Sequence, residues 1–179
     1  MGGIMHLFNQ YGPWLPKKDM KLTLAIRRFL FDAEIEIQRR WQFKKSIKTD
    51  DCAISCHVMA RVVAHFFDVA VCDGYIKPGH GQVSFAHSWC VTPRNHIVDI
   101  VPIGVFCGPI LLVKDGELSF LHQQYISSSG PGKKALVRIN GAKTKRRIET
   151  WVGNILAPDS GVIKNLDSVW RKEMRPEFR

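Results

Sequence analysis

The sequence lacks any apolar run long enough to cross a membrane. Its 179 residues contain no stretch of about 18 consecutive apolar residues, so no transmembrane helix is predicted. The start of the chain, Met1 to Pro16, has no charged segment followed by an apolar one, so no signal peptide is predicted either. We therefore expect a cytoplasmic protein, while export by a route without a signal peptide stays open.

Acidic residues are scarce, and the cysteines do not form an even set. Lys and Arg number 26 against 16 Asp and Glu, for a net charge of +10. Such a charge favours polyanions or an acidic peptide as partners, and it says nothing about the fold. The cysteines are odd in number and lack the spacing of a disulfide framework: Cys52, Cys56, Cys72, Cys90 and Cys107. This predicts a reducing compartment and at least one cysteine with a chemical role.

Helical patterns come first along the chain and strand patterns follow, which predicts an α+β protein. Apolar steps of three and four residues predict helices over about Met20–Trp41 and Asp51–Phe67. Alternating and turn-bounded patterns predict the later elements: strands over 69–76, 83–91 and 96–103, a hairpin of 110–113 with 118–121, a loop over 127–132, and helices over 146–156 and 162–172.

Three segments are predicted from this order. Residues 1–48 form an N-terminal helical extension, residues 49–125 form the core, and residues 126–179 form a basic segment packed on that core.

Cys52, His87 and Asp99 are the candidate catalytic residues. Cys52 lies in the first turn of the second predicted helix, where the helix dipole favours a thiolate. Asp50 and Asp51 oppose that effect, so a partner base is needed, and His87 is the best candidate. Asp99 lies in the next strand, where it is expected opposite His87 and able to orient its ring. An Asp among Ile and Val is costly unless it is paired, which this arrangement would explain.

These residues belong to motifs that resemble transglutaminase-like, papain-related cysteine peptidases. The run from Asp51 to Ala60, continuing to Gly74-Tyr75, resembles the family's nucleophile helix and the strand after it. His87-Ser88-Trp89 resembles its His-x-Trp strand, and the run Val98 to Pro102 resembles its Asp strand. Among its branches, the leader-peptide peptidases of lasso-peptide biosynthesis have the most similar layout.

The resemblance implies a transglutaminase-like core and acyl transfer at an amide. Cys52 would attack a carbonyl, His87 would move the proton, and Asp99 would orient His87, with no metal or organic cofactor. The substrate would be a peptide or protein, delivered by a partner protein if the enzyme is biosynthetic. Hydrolysis by a peptidase or amidase is favoured. The alternatives are a transglutaminase or deamidase effector acting on protein glutamine, and a catalytically silent member that serves as a basic binding module.

Other readings of the same residues stay open. Cys56, one turn after Cys52, is the rival nucleophile, although its distance to Gly74 is short for the family pattern. A metal site could be formed from Cys52, Cys56, His57, Cys72 or His80, but no second ligand pair has zinc-ribbon spacing. His57 and His65 are expected to face solvent or a groove. The basic region 133–147 could contact nucleic acid, which is not favoured because it lacks interleaved aromatic residues.

Overall fold

A computed structural model describes residues 16–42, 55–77, 85–102, 108–115, 119–128, 142–162 and 168–179 of the chain. Its elements, in chain order, are α1 (Lys17–Gln42), α2 (Ser55–Phe66), β1 (Ala70–Ile76), β2 (Phe85–Val91), β3 (Ile97–Asp99), β4 (Ile110–Leu112), α3 (Ser119–Gln123), β5 (Tyr125–Ser127), α4 (Ala142–Ile155), α5 (Ser168–Arg171) and a closing 3-10 helix (Pro176–Phe178). Helices thus precede an antiparallel sheet, and the predicted α+β class is confirmed. Among the described helices, none is long and apolar enough to cross a membrane.

Helices α1, α2 and α4 share one apolar core because each carries a buried stripe at helical spacing. The stripes are Ala25, Ile26, Phe29 and Ala33 on α1, Val58, Val62, Val63 and Phe66 on α2, and Ile148, Trp151 and Ile155 on α4. At their contact the rings of Phe29 and Phe66 lie 4.9 Å apart. All three predicted segments therefore contribute to one core, and the division into segments stays a prediction.

The five strands form one antiparallel sheet in the order β4-β3-β2-β1-β5, and this sheet is curled. A flat sheet would hold β3 and β5 about 14 Å apart, since neighbouring strands are spaced by about 4.8 Å. Nevertheless, the Tyr125 hydroxyl on β5 lies 2.6 Å from the Asp99 carboxylate on β3. Helix α3 packs against both edge strands, β4 and β5, and so helps to close the curl.

Strand β2 separates two apolar clusters because its side chains alternate between the faces of the sheet. Cys90 belongs to the cluster shared with the helices, whereas Trp89 belongs to a smaller cluster inside the curl. By the same alternation Ser88 lies on the helix side and His87 on the inner side. His87 and Ser88 are adjacent on β2, but their side chains therefore lie on opposite faces of the sheet.

A tight turn at residues 92–96 sets β2 and β3 side by side. The N–H of Thr92 donates to the His96 carbonyl at 2.9 Å, and Asn95 has a φ of 65°, a left-handed conformation that Asn tolerates better than most residues. The buried carboxylate of Asp19 on α1 lies 3.6 Å from Arg94 and 3.7 Å from His96. The N-terminal helix thus holds the turn that joins the two strands.

The predicted hairpin of residues 110–113 with 118–121 is wrong. Strand β4 pairs with β3, whereas residues 119–121 of the proposed second strand lie in the short helix α3. Residue 118 lies outside the described part of the chain. An apolar run of four residues is too short for its period to distinguish a strand from a helix. The helix packs the partly buried Leu121 against the inner cluster and leaves Phe120 53% exposed.

Two further predictions need correction. The loop predicted from residue 127 was placed too early, because Tyr125–Ser127 forms β5 along β1. The last predicted helix, over 162–172, is described only as the four residues of α5, and residues 163–167 lie outside the described part of the chain.

Gly74 on β1 is packed so closely that there is no room for a side chain. A Cβ atom there would lie 2.1 Å from the Ile126 carbonyl oxygen and 2.6 Å from Cη2 of Trp89. We expect Gly74→Ala to lower the free energy of unfolding by about 2–3 kcal/mol, because a backbone atom and a packed ring would have to move. Urea denaturation measures this change.

Gly153 on α4 provides the matched control. An added Cβ there meets nothing within 4 Å, so Gly153→Ala should raise the free energy of unfolding by about 0.5–1 kcal/mol through helix propensity. Equal effects of the two substitutions would contradict the close packing at Gly74.

Candidate active site

The site is built around Asp99, whose side chain is fully buried at the end of β3. Its oxygens accept hydrogen bonds from the Tyr125 hydroxyl at 2.6 Å and from the N–H of Val101 at 3.1 Å. Burial, the Asp99 charge and this hydrogen bond all raise the pKa of Tyr125, so the phenol keeps its proton and acts as a donor. A buried carboxylate is stable only when it is paired and hydrogen-bonded, and His87 supplies the remaining partner.

His87 contacts Asp99 through Nε2, which lies 2.9 and 2.8 Å from the two carboxylate oxygens. The two strands pair Cys90 with Val98, and continuing this register sets Trp89 opposite Asp99. His87 is therefore a diagonal neighbour of Asp99, not the directly opposite residue that the sequence predicted. Diagonal positions on one face remain within reach of long side chains.

Around the ring of His87 the packing is aromatic. Trp89 is 2% exposed, and its ring centroid lies 6.4 Å from that of His87 at an interplanar angle of 21°. Tyr125 meets Trp89 edge to face at 5.2 Å. Since Nε2 points to Asp99, Nδ1 is the nitrogen left to meet a thiol. Trp89 thus lies in the core beside the site.

Cys56, in the first turn of α2 as described, is the thiol that contacts this ring. Burial alone would raise the pKa of Cys56, but hydrogen bonds with His57 and His87 overcome it and lower the pKa to about 6. Burial likewise would lower the pKa of His87, but its hydrogen bonds with Asp99 and Cys56 raise it to about 9. At neutral pH the pair is therefore a thiolate and an imidazolium, the reactive form of a catalytic cysteine.

Of the three residues predicted from the sequence, the structure brings His87 and Asp99 together. Cys52 lies outside the described residues, so its role stays a prediction. The rival, Cys56, is the cysteine seen against His87.

A second imidazole, that of His57, also contacts the Cys56 thiol. The expectation that His57 faces solvent or a groove is wrong, since its side chain is only 2% exposed and lies against Ser88. Its Nδ1 lies 2.5 Å from the Ser88 hydroxyl, which in turn donates to Asp73. Ser88 and Asp73 are cross-strand partners of β2 and β1, which explains why they meet.

Arg61 completes this second chain of contacts. Its guanidinium donates to the Asp73 carboxylate at 2.7 Å and to the carbonyl of His57, one turn earlier on α2, at 2.9 Å. Burial of Asp73 would raise its pKa, but the hydrogen bonds from Arg61 and Ser88 lower it. Asp73 is therefore a carboxylate that anchors the chain at its outer end.

Sequence reasoning missed Tyr125 and the chain from His57 to Arg61. The only local signal for the latter was a pair of adjacent polar dipeptides, Cys56-His57 and His87-Ser88. Tyr125 gave no signal, because β5 was not predicted and its contact with Asp99 depends on the curl of the sheet.

Cys90 provides a comparison for Cys56, and the described residues also show whether a metal ion could activate the thiol. Cys90 is fully buried without a histidine partner, and burial raises its pKa to about 12. Within the described residues, no group of three or more His, Cys, Asp or Glu side chains could hold a metal ion. The activation of Cys56 therefore comes from its two imidazoles and not from burial.

Comparison of the chain with protein-family models, with curated proteins and with solved structures gives no match. The likeness to transglutaminase-like peptidases therefore depends on the motifs themselves.

The Cys56–His87 pair makes stability respond to pH through two opposing contributions. His87 has a folded pKa raised from 6.5 to about 9, so its stabilisation is complete below pH 6.5 and is lost as the pH rises through 9. Cys56 has a folded pKa lowered from 9.0 to about 6, so its stabilisation is complete above pH 9 and is lost as the pH falls through 6. Between these limits the two slopes cancel.

Cys56→Ser removes the second slope and leaves the part of the first that comes from Asp99, because Asp99 and Cys56 both raise the pKa of His87. We expect the stability difference between wild type and variant to grow with pH above about pH 6.5, by up to about 1 kcal/mol per unit. Urea denaturation at a series of pH values measures it. Cys90→Ala is the control, and its difference from wild type should stay constant below about pH 8.5 because a raised pKa has no effect there. A constant difference for Cys56→Ser would mean that no thiolate forms.

Proposed function

We propose that the protein is a cysteine-dependent amide acyl-transfer enzyme, a peptidase or amidase, with Cys56 as its nucleophile. The observation that supports this most is the buried series in which Cys56 contacts His87 and His87 contacts Asp99. These three residue types, in this order of contact, have the roles of nucleophile, base and orienting group. The motif resemblance to transglutaminase-like peptidases points to the same chemistry.

The first half of the reaction forms a thioester. The Cys56 thiolate attacks the carbonyl carbon, a C–S bond forms, and the carbonyl π electrons move to oxygen. When the tetrahedral intermediate collapses, the C–N bond breaks, and the departing nitrogen takes the proton of His87 Nδ1. Asp99 holds the ring throughout and keeps its negative charge.

Water resolves the thioester in the second half. His87, now neutral, accepts a proton from water as the water oxygen attacks the carbonyl carbon. Collapse breaks the C–S bond, releases the carboxylic acid and restores the thiolate and the imidazolium. The start of α2 assists both halves, because the positive end of a helix dipole favours a thiolate and an oxyanion.

A peptide is the substrate that this proposal favours. Hydrolysis is preferred over cross-linking by analogy with the small peptidases that the motifs resemble. The net charge of +10 favours acidic peptides through long-range attraction.

An activated ester tests the nucleophile without knowledge of the substrate. With p-nitrophenyl acetate, we expect release of p-nitrophenolate and an acetyl group on Cys56, located by peptide mass spectrometry. Cys56→Ser and His87→Ala should each lower the rate at least about 100-fold, because each removes a member of the proton-transfer pair.

Cys52→Ser is the matched control for this experiment, since it removes the other cysteine near the start of α2, and it should leave the rate unchanged. Acetylation of Cys52 with full activity in Cys56→Ser would reassign the nucleophile. Absence of any acetylated cysteine would favour the catalytically silent binding module. Adding a primary amine separates the two outcomes of acyl transfer, because a transglutaminase would pass the acetyl group to the amine.

A further inference from the structure

The strongest unassigned feature is that one thiol meets two imidazoles, each oriented by its own acidic residue. His87 meets Asp99 directly, whereas His57 meets Asp73 through Ser88. The mechanism above uses only the first ring.

The hydrogen bonds of Ser88 determine which ring nitrogen of His57 faces the sulfur of Cys56. Ser88 has a single hydroxyl proton, and it donates that proton to Asp73. Its oxygen must therefore accept the short contact from His57, so Nδ1 carries a hydrogen. Nε2 is left as the ring atom for the Cys56 thiol, and in the neutral ring it has a free lone pair.

We propose that His57 is a second acid–base ring for Cys56, so that the thiol can give its proton to either of two imidazoles. Protonated His57 donates Nε2–H to the thiolate and keeps it charged after His87 has given its own proton to the leaving group. This inference rests on the proposed role of Cys56 as the nucleophile. His57 touches the reacting atom, whereas Ser88, Asp73 and Arg61 act through it as positioning residues.

The arrangement around His57 fits this role in charge as well as in geometry. Among the described residues, the charged and titratable groups around the thiol and its rings are His57 and Arg61 of α2, Asp73 of β1, His87 of β2, Asp99 of β3 and Tyr125 of β5. Two carboxylates thus face two imidazoles, so both rings can carry a proton without excess charge. Arg61 neutralises the outer side of Asp73 and holds the carbonyl of His57 itself.

His57→Asn separates the two roles of this residue. The Asn side-chain NH₂ can replace Nδ1–H at Ser88, so the contact between helix and sheet is retained, but no atom extends to the sulfur. The readout is the pH dependence of Cys56 alkylation by iodoacetamide, followed by peptide mass spectrometry. We expect its midpoint to rise by about one pH unit, which means about tenfold less thiolate at low pH.

Two further variants keep the test decisive. Asp73→Asn leaves His57 in place but removes the charge at the end of the chain, and it should move the midpoint in the same direction by a smaller amount. It also decides the matter alone if His57→Asn does not fold, as judged by thermal melting. In a His87→Ala background, His57→Asn should raise the midpoint again, because His57 is then the one imidazole left on the thiol among the described residues.

Unchanged alkylation profiles in the folded variants would overturn the inference and leave His57 as a structural link between α2 and β2. Alkylation needs no turnover, so this result is independent of the proposed function. A wild-type protein with a low alkylation midpoint and no acyl transfer would defeat the proposed function and leave the role of His57 in activating the thiol standing.

Discussion

The buried carboxylate of Asp99 is the constraint on which both the fold and the site depend. A charge without solvent contact must collect its partners from the protein, and removing one partner from such a group typically costs about 3–5 kcal/mol. Here the partners come from three places: His87 on β2, Tyr125 on β5 and the backbone of Val101. Tyr125 can reach Asp99 only because the sheet curls, and the strand that carries Tyr125 pairs with β1 and places Ile126 against the bare α-carbon of Gly74. The shape of the sheet and the orientation of the imidazole therefore have the same cause.

Cys56 and Cys90 show that neighbouring groups, not burial, decide what a thiol does in this protein. Both are buried, at 6% and 0% exposure. The pKa of one lies near 6 and that of the other near 12. Cys90 donates only to the Ala60 carbonyl, at 3.4 Å, whereas Cys56 has two imidazoles beside it. Desolvation acts against both thiolates, and at Cys56 the hydrogen bonds with the two imidazoles reverse its effect.

Two of the site residues on the sheet could be predicted from the sequence, whereas those on the helix could not. His87 and Asp99 were predictable, because a short turn between two strands leaves few ways to place a His and an Asp on one face. The choice between Cys52 and Cys56 was not, since the two lie one turn apart and would share a helix face. Only the position of α2 against β2 shows that Cys56 contacts His87. His57 was misread for a related reason: its partners Ser88 and Asp73 are distant in sequence, and a polar residue at a helix start usually faces water.

Because side chains alternate along β2, this strand must pair in the correct register for the site to form. His87 and Ser88 are adjacent, but they face opposite sides of the strand and serve the two imidazole contacts separately. Because side chains alternate with a period of two, a one-residue slip of β2 would turn every side chain to the wrong face. His87 would then face the helices and Ser88 the inside of the curl, so both contacts would be lost together. The correct register of this one strand is therefore a condition for both imidazole contacts, and a molecule with a slipped β2 would have neither of them.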